Sequence, residues 1–399
     1  MPEDPLSRLE RYRPPSADGG VNPPVTDSVT FSFSDPELMR AAFRNEAPGC
    51  YLYARGRTPS TETLAGALAA VEDTEAAHVT ASGISAIVAT LMQLASAGGE
   101  IVADRAIYGG SFALLAHFLP RFGIETRFVD VRDLKAVKRA IGKATAAIYC
   151  ETLGNPLLRV PDLPALADIA RAAGIALVVD NTFAPLLMSP AALGADVVVH
   201  SLTKFVNGAS DGVAGAICAE REFIASLTDS GGGTAVLLGA VLDAQRAQSI
   251  YKNLGTLGVR MVRHGENALY LAERLEEAGL AVTYPGLASH PDHSRLTELM
   301  NPGYGYGGML ALDAGSAEAA DDLTLRLQEA EVGHLAVSLG FHRTLFSLSG
   351  SSTSSEIPPE LQREIGLSPG LLRFSIGLDA DIEATWERFA QCLADAGLV

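Results

Sequence analysis

Between residues 60 and 230, short apolar runs alternate with amphipathic stretches. Apolar positions recur every three or four residues at 62–71, 85–97, 112–118, 134–141 and 163–173, the spacing of one face of a helix. Between them lie strand-like runs at 78–80, 101–104, 125–130, 146–150, 176–179 and 197–199. Most are apolar at successive positions, so both faces are covered. Such strands separated by amphipathic helices predict a mostly parallel sheet with helices on both sides. Beyond residue 240 the pattern changes. Long helical stretches at 244–257 and 259–278 lead into strands at 282–284, 309–313 and 372–376, with helices at 317–330 and 382–396. This predicts a smaller α/β domain. The first fifty residues are rich in Pro, Asp and Ser and weakly periodic; they read as an extended arm that wraps a partner subunit. The expected division is therefore 1–50 arm, 51–240 large domain and 241–399 small domain.

Composition narrows the class. A chain of 399 residues, 48% hydrophobic and 19% charged, has the make-up of a soluble globular enzyme of two or three domains. Its net charge of -17 argues against nucleic acid and anionic membrane surfaces as partners. Cys50, Cys150, Cys218 and Cys392 are widely separated and form no metal-ligand spacing, so no metal is expected and the thiols read as reduced. The start MPEDPLSRLERYRPP has no apolar core of a signal peptide, and no run of about 18 apolar residues exists. A cytoplasmic protein is expected.

Chemistry gathers at strand ends. The run at 197–199 leads directly into His-Ser-Leu-Thr-Lys. This puts the Lys204 amine at the tip of a buried strand beside the hydroxyls of Ser201 and Thr203. A lysine with phosphate-binding hydroxyls is what a pyridoxal-phosphate Schiff base requires. Upstream, ALVVDNTFAPL ends a strand on Asp180, a carboxylate able to keep a pyridinium nitrogen protonated. Ser82-Gly83-Ile84 opens a helix whose first N–H groups suit an anion, and Gly83 lets backbone come close. Ser82, Glu151, Asp180 and Lys204 all fall at or just past strand ends, where ligands sit in sheets of this kind.

Seven motifs in order carry a resemblance: YARGRTPS (53–60), ASGISAI (81–87), YGGSF (108–112), ETLGNP (151–156), VVDNTFA (178–184), HSLTKFVNGASD (200–211) and LLRFSIGL (371–378). The chain resembles the pyridoxal-phosphate enzymes of cysteine and methionine metabolism, from about residue 22 to its end. That group holds cystathionine γ-synthases and γ-lyases, homoserine-ester sulfhydrylases and methionine γ-lyase. The resemblance implies the fold type I (aminotransferase-like) architecture, with a seven-stranded-type large sheet. It also implies a homotetramer built as a dimer of dimers with shared active sites. Tyr53 and Arg55 are then expected to reach a neighbouring subunit's phosphate. Tyr108 is expected to stack on the ring, Asn155 to bond its 3-oxygen, and Arg373 and Ser338 to hold the substrate carboxylate. Lys204, Tyr108 and Tyr53 are the expected acid–base groups.

The implied reaction is γ-elimination from a γ-substituted L-amino acid, in the manner of a cystathionine γ-lyase. The alternatives are γ-replacement by a thiol and β-elimination. Departures from the family's pattern fall around the substrate. Gly110 stands where methionine γ-lyases carry cysteine, which disfavours that identity. Asp243-Ala244 with Arg246, Lys252-Asn253, Phe341-His342-Arg343 and 348–354 replace other familiar stretches. His342 and Arg343, in place of an acid, are expected to suit an anionic or strongly polar γ-substituent.

Overall fold

The computed structural model describes residues 3–14, 19–44 and 46–399; the remaining seven residues, all within the expected arm, lie outside the described residues. Twelve strands form two sheets among the described residues. The large sheet contains β1 (Ala76–Thr80), β2 (Glu100–Asp104), β3 (Glu125–Val129), β4 (Thr145–Glu151), β5 (Ala176–Asp180), β6 (Val197–Ser201) and β7 (Gly215–Ala219), in the order β1-β7-β6-β5-β4-β2-β3. Strands β3, β2, β4, β5 and β6 are parallel, whereas β7 runs antiparallel to both β6 and β1. The strands alternate between two cores. Val178 and Val199 face one, packed under the helix Gly83–Leu94; Val179 and Val198 face the other, under the helices Pro59–Glu72 and Leu163–Ala173. Burial on both faces is why these strands read as unbroken apolar runs.

The small sheet contains β8 (Ala281–Thr283), β9 (Met309–Asp313), β10 (His334–Leu335), β11 (Leu345–Leu348) and β12 (Leu371–Ser375), in the order β10-β11-β12-β9-β8. The helices Leu257–Glu277, Ala317–Glu329 and Ile382–Asp395 cover one face, where Leu372 and Phe374 are buried. Alternation along β12 therefore turns Arg373, between them, to the opposite face, which looks onto the large domain.

The arm is more structured than its composition predicts. It carries the helices Pro5–Arg11 and Pro36–Phe43, each opened by an aspartate cap and a proline. Arg8 is buried, and its guanidinium donates to the carbonyls of Ala70 and Val71, both at 2.8 Å. That contact fastens the first helix to its own subunit. No helix among the described residues is long and apolar enough to cross a membrane.

Candidate active site

A cavity of about 430 Å³ opens where the carboxyl ends of the parallel strands face the small sheet. Of the residues expected at a site, it is lined by Ser82, Gly83, Ile84, Tyr108, Asn155, Asp180, Ser201, Thr203, Lys204, Ser338 and Arg373. Tyr53, Arg55 and Arg343 do not line it. Tyr53 and Arg55 are exposed on the segment beside β-bridge partner Thr30. Arg343 and His342 are exposed in the loop before β11, on the side of Asp379.

One wall is the end of the large sheet. Ser82 caps the helix Gly83–Leu94 through a reciprocal pair with Ser85. A Cβ on Gly83 would stand 2.6 Å from the Ser201 Cβ and 2.8 Å from its Cα. Only a glycine lets the helix terminus close onto β6 and bring its N–H groups beside Ser201. Thr203 is fixed by two bonds with Ala214: its Oγ1 donates to the carbonyl at 3.3 Å and accepts from the N–H at 3.1 Å. The Asp180 carboxylate ends β5. It accepts from the Thr182 N–H at 2.9 Å and, more weakly, from the Tyr149 hydroxyl at 3.4 Å. Burial pushes its carboxyl up, while the bonds from Thr182 and the nearby His200 pull it back. No cation pairs with it among the described residues. Thr182 also receives the Ser201 N–H, at 2.8 Å, so one threonine joins the two strand ends.

The opposite wall is the small domain. The Lys204 amine donates to Ser338 Oγ at 2.9 Å. Burial lowers the amine to about 8, and the neighbouring Arg373 charge adds to that. Ser338 has a left-handed backbone, φ 88°, a conformation costly for a residue with a side chain. It receives Lys204 at its hydroxyl and Arg373 at its carbonyl, 3.2 Å. Gly340, two residues on, lies so close to the Phe205 N that a Cβ there would overlap it. The Arg373 guanidinium, 3% exposed, also donates to Asn155 Oδ1 at 3.1 Å. Its partners are all neutral, and burial lowers it to about 10. A buried guanidinium held by neutral oxygens is poised for an incoming carboxylate.

Several lining residues were given no role from sequence. Glu151 accepts the N–H of Tyr108 at 2.8 Å and that of Asn155 at 2.9 Å, so it sets the backbone of two expected cofactor residues. Burial and the charge of Asp180 hold its carboxyl well above the usual carboxylate range. Thr182 sat in plain view beside Asp180. Ser352, Thr353 and Glu356 come from the serine-rich stretch after β11, where a monotonous composition conceals any periodicity. Ile87, Leu153, Phe183, Val213, Val337 and Leu339 make the remaining lining apolar. Among the described residues no His/Cys/Asp/Glu group could hold a metal ion.

These residues fit pyridoxal phosphate: a lysine with a lowered amine, an uncompensated buried carboxylate for a ring nitrogen, and a glycine-opened helix terminus for phosphate. The family model described as Cys/Met metabolism PLP-dependent enzyme matches residues 9–393. The methionine gamma-lyase of Arabidopsis thaliana is 44% identical, covering 93% of this chain and 86% of the relative. The cystathionine gamma-lyase of Bacillus subtilis is 37% identical, covering 94% and 97%. The solved cystathionine gamma synthase of Xanthomonas oryzae pv. oryzae, in complex with aminoacrylate and cysteine, superposes with a TM-score of 0.89 at 30% identity, over all of both chains.

Proposed function

The chain belongs to the Cys/Met-metabolism family of PLP-dependent enzymes, and from that premise we propose that it eliminates the γ-substituent of a sulfur-substituted L-homoserine, releasing a thiol, ammonia and a 2-oxo acid. The observation that carries this reading is the meeting of the Lys204 amine and the Arg373 guanidinium at Ser338. One group handles the proton at Cα; the other fixes the α-carboxylate. When bound, pyridoxal phosphate supplies the electron sink for the Cα electrons. Ser82, Gly83, Ile84, Ser201 and Thr203 would hold its phosphate, with Arg55 and Tyr53 supplied by a neighbouring subunit. Asp180 would face its ring nitrogen, Asn155 its 3-oxygen and Tyr108 its ring.

Lys204, once freed by the incoming amino group, is a base with a usable neutral fraction near physiological pH, because burial has lowered its amine to about 8. Its proton returns to the substrate skeleton after the γ-substituent departs. Tyr108 remains protonated, since burial and the charge of Glu356 raise its hydroxyl, which suits a proton donor to the departing sulfur; Tyr53 is the second candidate. The apolar lining suits a thioether better than an ester that ends in a charge. Gly110 weighs little against methionine as a substrate, given 44% identity to a relative named methionine gamma-lyase. Arg343 and His342 lie outside the cavity and contribute nothing to this assignment.

γ-Replacement is the second reading, favoured by the likeness to a cystathionine gamma synthase over the whole chain. Incubating the holoenzyme with methionine, cystathionine and O-acyl or O-phospho homoserines, with and without added thiol, separates the two. Release of 2-oxobutanoate from thioethers without thiol is the expected result. Products that appear only with thiol overturn elimination, and pyruvate as the main oxo acid from cystathionine points to β-elimination.

A further inference from the structure

The charged side chains lining the cavity divide unevenly. Its cations are Lys204 and Arg373, and both are committed, one to the cofactor and proton transfer and one to the α-carboxylate. Its anions are Glu151, Asp180 and Glu356. Glu151 and Asp180 are buried in the cofactor wall and receive backbone N–H groups. Glu356 is different: it is exposed, lies at the mouth, and forms no ion pair among the described residues. Among the described residues its carboxylate accepts one side-chain hydrogen bond, from Ser355 Oγ at 3.5 Å.

The segment that carries Glu356 is held firmly. Thr353 and Ile357 on either side are buried. The Thr353 carbonyl accepts the Gly109 N–H at 3.3 Å, and the Ile357 N–H donates to the Ser354 carbonyl at 3.1 Å. The Gln362 amide donates to the carbonyls of Ser354 at 3.0 Å and Ile357 at 2.9 Å. Gly109, next to Tyr108, makes room for the segment. A Cβ there would overlap the Glu356 carboxylate and lie 2.8 Å from the Thr353 carbonyl. The fold therefore brings an uncompensated negative charge beside Tyr108, and among the described residues lining the cavity no cation is free to answer a second anion.

We propose that Glu356 is a specificity-determining residue, a charge filter that makes the site favour uncharged γ-substituents over those ending in a carboxylate or phosphate. This rests on the assignment of the cavity to a γ-substituted amino acid and names the class of substituent it admits. At the few ångströms available in a half-open cavity, one like charge is enough for about a tenfold discrimination, weakened by salt.

The test uses holoenzyme and two amino acids without a leaving group, L-norleucine (neutral side chain) and L-2-aminoadipate (anionic side chain). Their dissociation constants are read from the change in cofactor absorbance, without turnover. Wild type is expected to bind norleucine the more tightly, and Glu356→Gln to narrow the ratio about tenfold, the change carried by aminoadipate. Glu356→Asp, which keeps the charge, is expected to retain most of the wild-type ratio. A ratio unchanged in Glu356→Gln, or both ligands shifting together, overturns the proposal. If no γ-substituted amino acid yields an oxo acid, the functional assignment fails by itself, because the binding ratio is measured independently of it.

Discussion

At Lys204 the fold has moved an ordinary amine into a working range. Burial and the nearby Arg373 bring it from the usual lysine range to about 8. Capture of pyridoxal phosphate needs the neutral amine, and about a tenth of the amine is neutral at pH 7 with that value. The capture rate of apoprotein is therefore expected to climb roughly tenfold from pH 7 to 9 and to level off above about 8 rather than above 10. Stopped-flow absorbance measures it directly. Arg373→Gln removes a neighbouring positive charge, so the amine rises and the midpoint moves to higher pH. A midpoint that stays put would detach the two groups. The same variant should lower kcat/KM by about 10²–10³, the worth of two charge-assisted hydrogen bonds to a carboxylate, while cofactor content holds. Titrating cofactor content alongside steady-state kinetics separates that loss from a damaged cofactor site.

Elements place these residues, and two glycines show how closely. Gly83 lets the helix Gly83–Leu94 seat on Ser201, 2.6 Å being all that a Cβ would have. Gly83→Ala should cost about 1–3 kcal/mol of stability through overpacking and weaken cofactor retention, checked by denaturant midpoint and bound pyridoxal phosphate after dialysis. At Gly110 a Cβ would stand 2.5 Å from Tyr108 Cε1, so Gly110→Cys must push the ring aside. A fall in kcat with cofactor content unchanged is expected there; an unaltered kcat would show the ring's placement to be immaterial. These contacts also show what sequence could convey. The helix Leu163–Ala173 and β9 stand within the bounds their sequence predicts, because an aspartate cap and Gly174 bracket the one and an unbroken buried apolar run ending on Asp313 marks the other. Lys204, Asp180 and Arg373 were legible because each sits on or just beyond an apolar run that makes a charge conspicuous. Strand β7 escapes a reading of the sequence: Gly215-Ala216-Ile217-Cys218-Ala219 is built of small residues and opens on a glycine, and only pairing with β1 and β6 makes it a strand. Strand β11 and Glu356 are hidden in and beside a serine-rich run, and the cavity role of that run arises from packing against Gly109, far upstream in the chain.

Over the whole molecule, the site belongs to neither domain alone. Asp180 ends β5 and Lys204 lies in the turn after β6, Ser338 and Arg373 come from the small domain, and Arg373 binds Asn155 across the join. Two expected members are still missing from this cavity. Tyr53 and Arg55 are exposed and stacked loosely on each other, 6.0 Å from guanidinium carbon to ring centre. Exposed apolar side chains accompany them along the arm and at 237–241, among them Val29, Phe43, Leu237 and Leu238, the kind of surface that subunit contacts cover. If Tyr53 and Arg55 complete a neighbour's phosphate site, the defects Lys204→Ala and Arg55→Ala should complement. In a two-fold dimer of one subunit of each kind, one site carries both lesions and the other carries neither. Each variant alone should be nearly inactive. Random co-assembly then makes half the dimers mixed and restores one site in each, so about a quarter of wild-type activity should return. The measurement is specific activity after co-expression with two affinity tags; in a doubly tagged dimer the expected value is about one half, and in a doubly tagged tetramer of randomly paired dimers about 0.3. Activity that remains at the level of the separate variants would mean that Arg55 serves its own subunit, and the arm would then need another role.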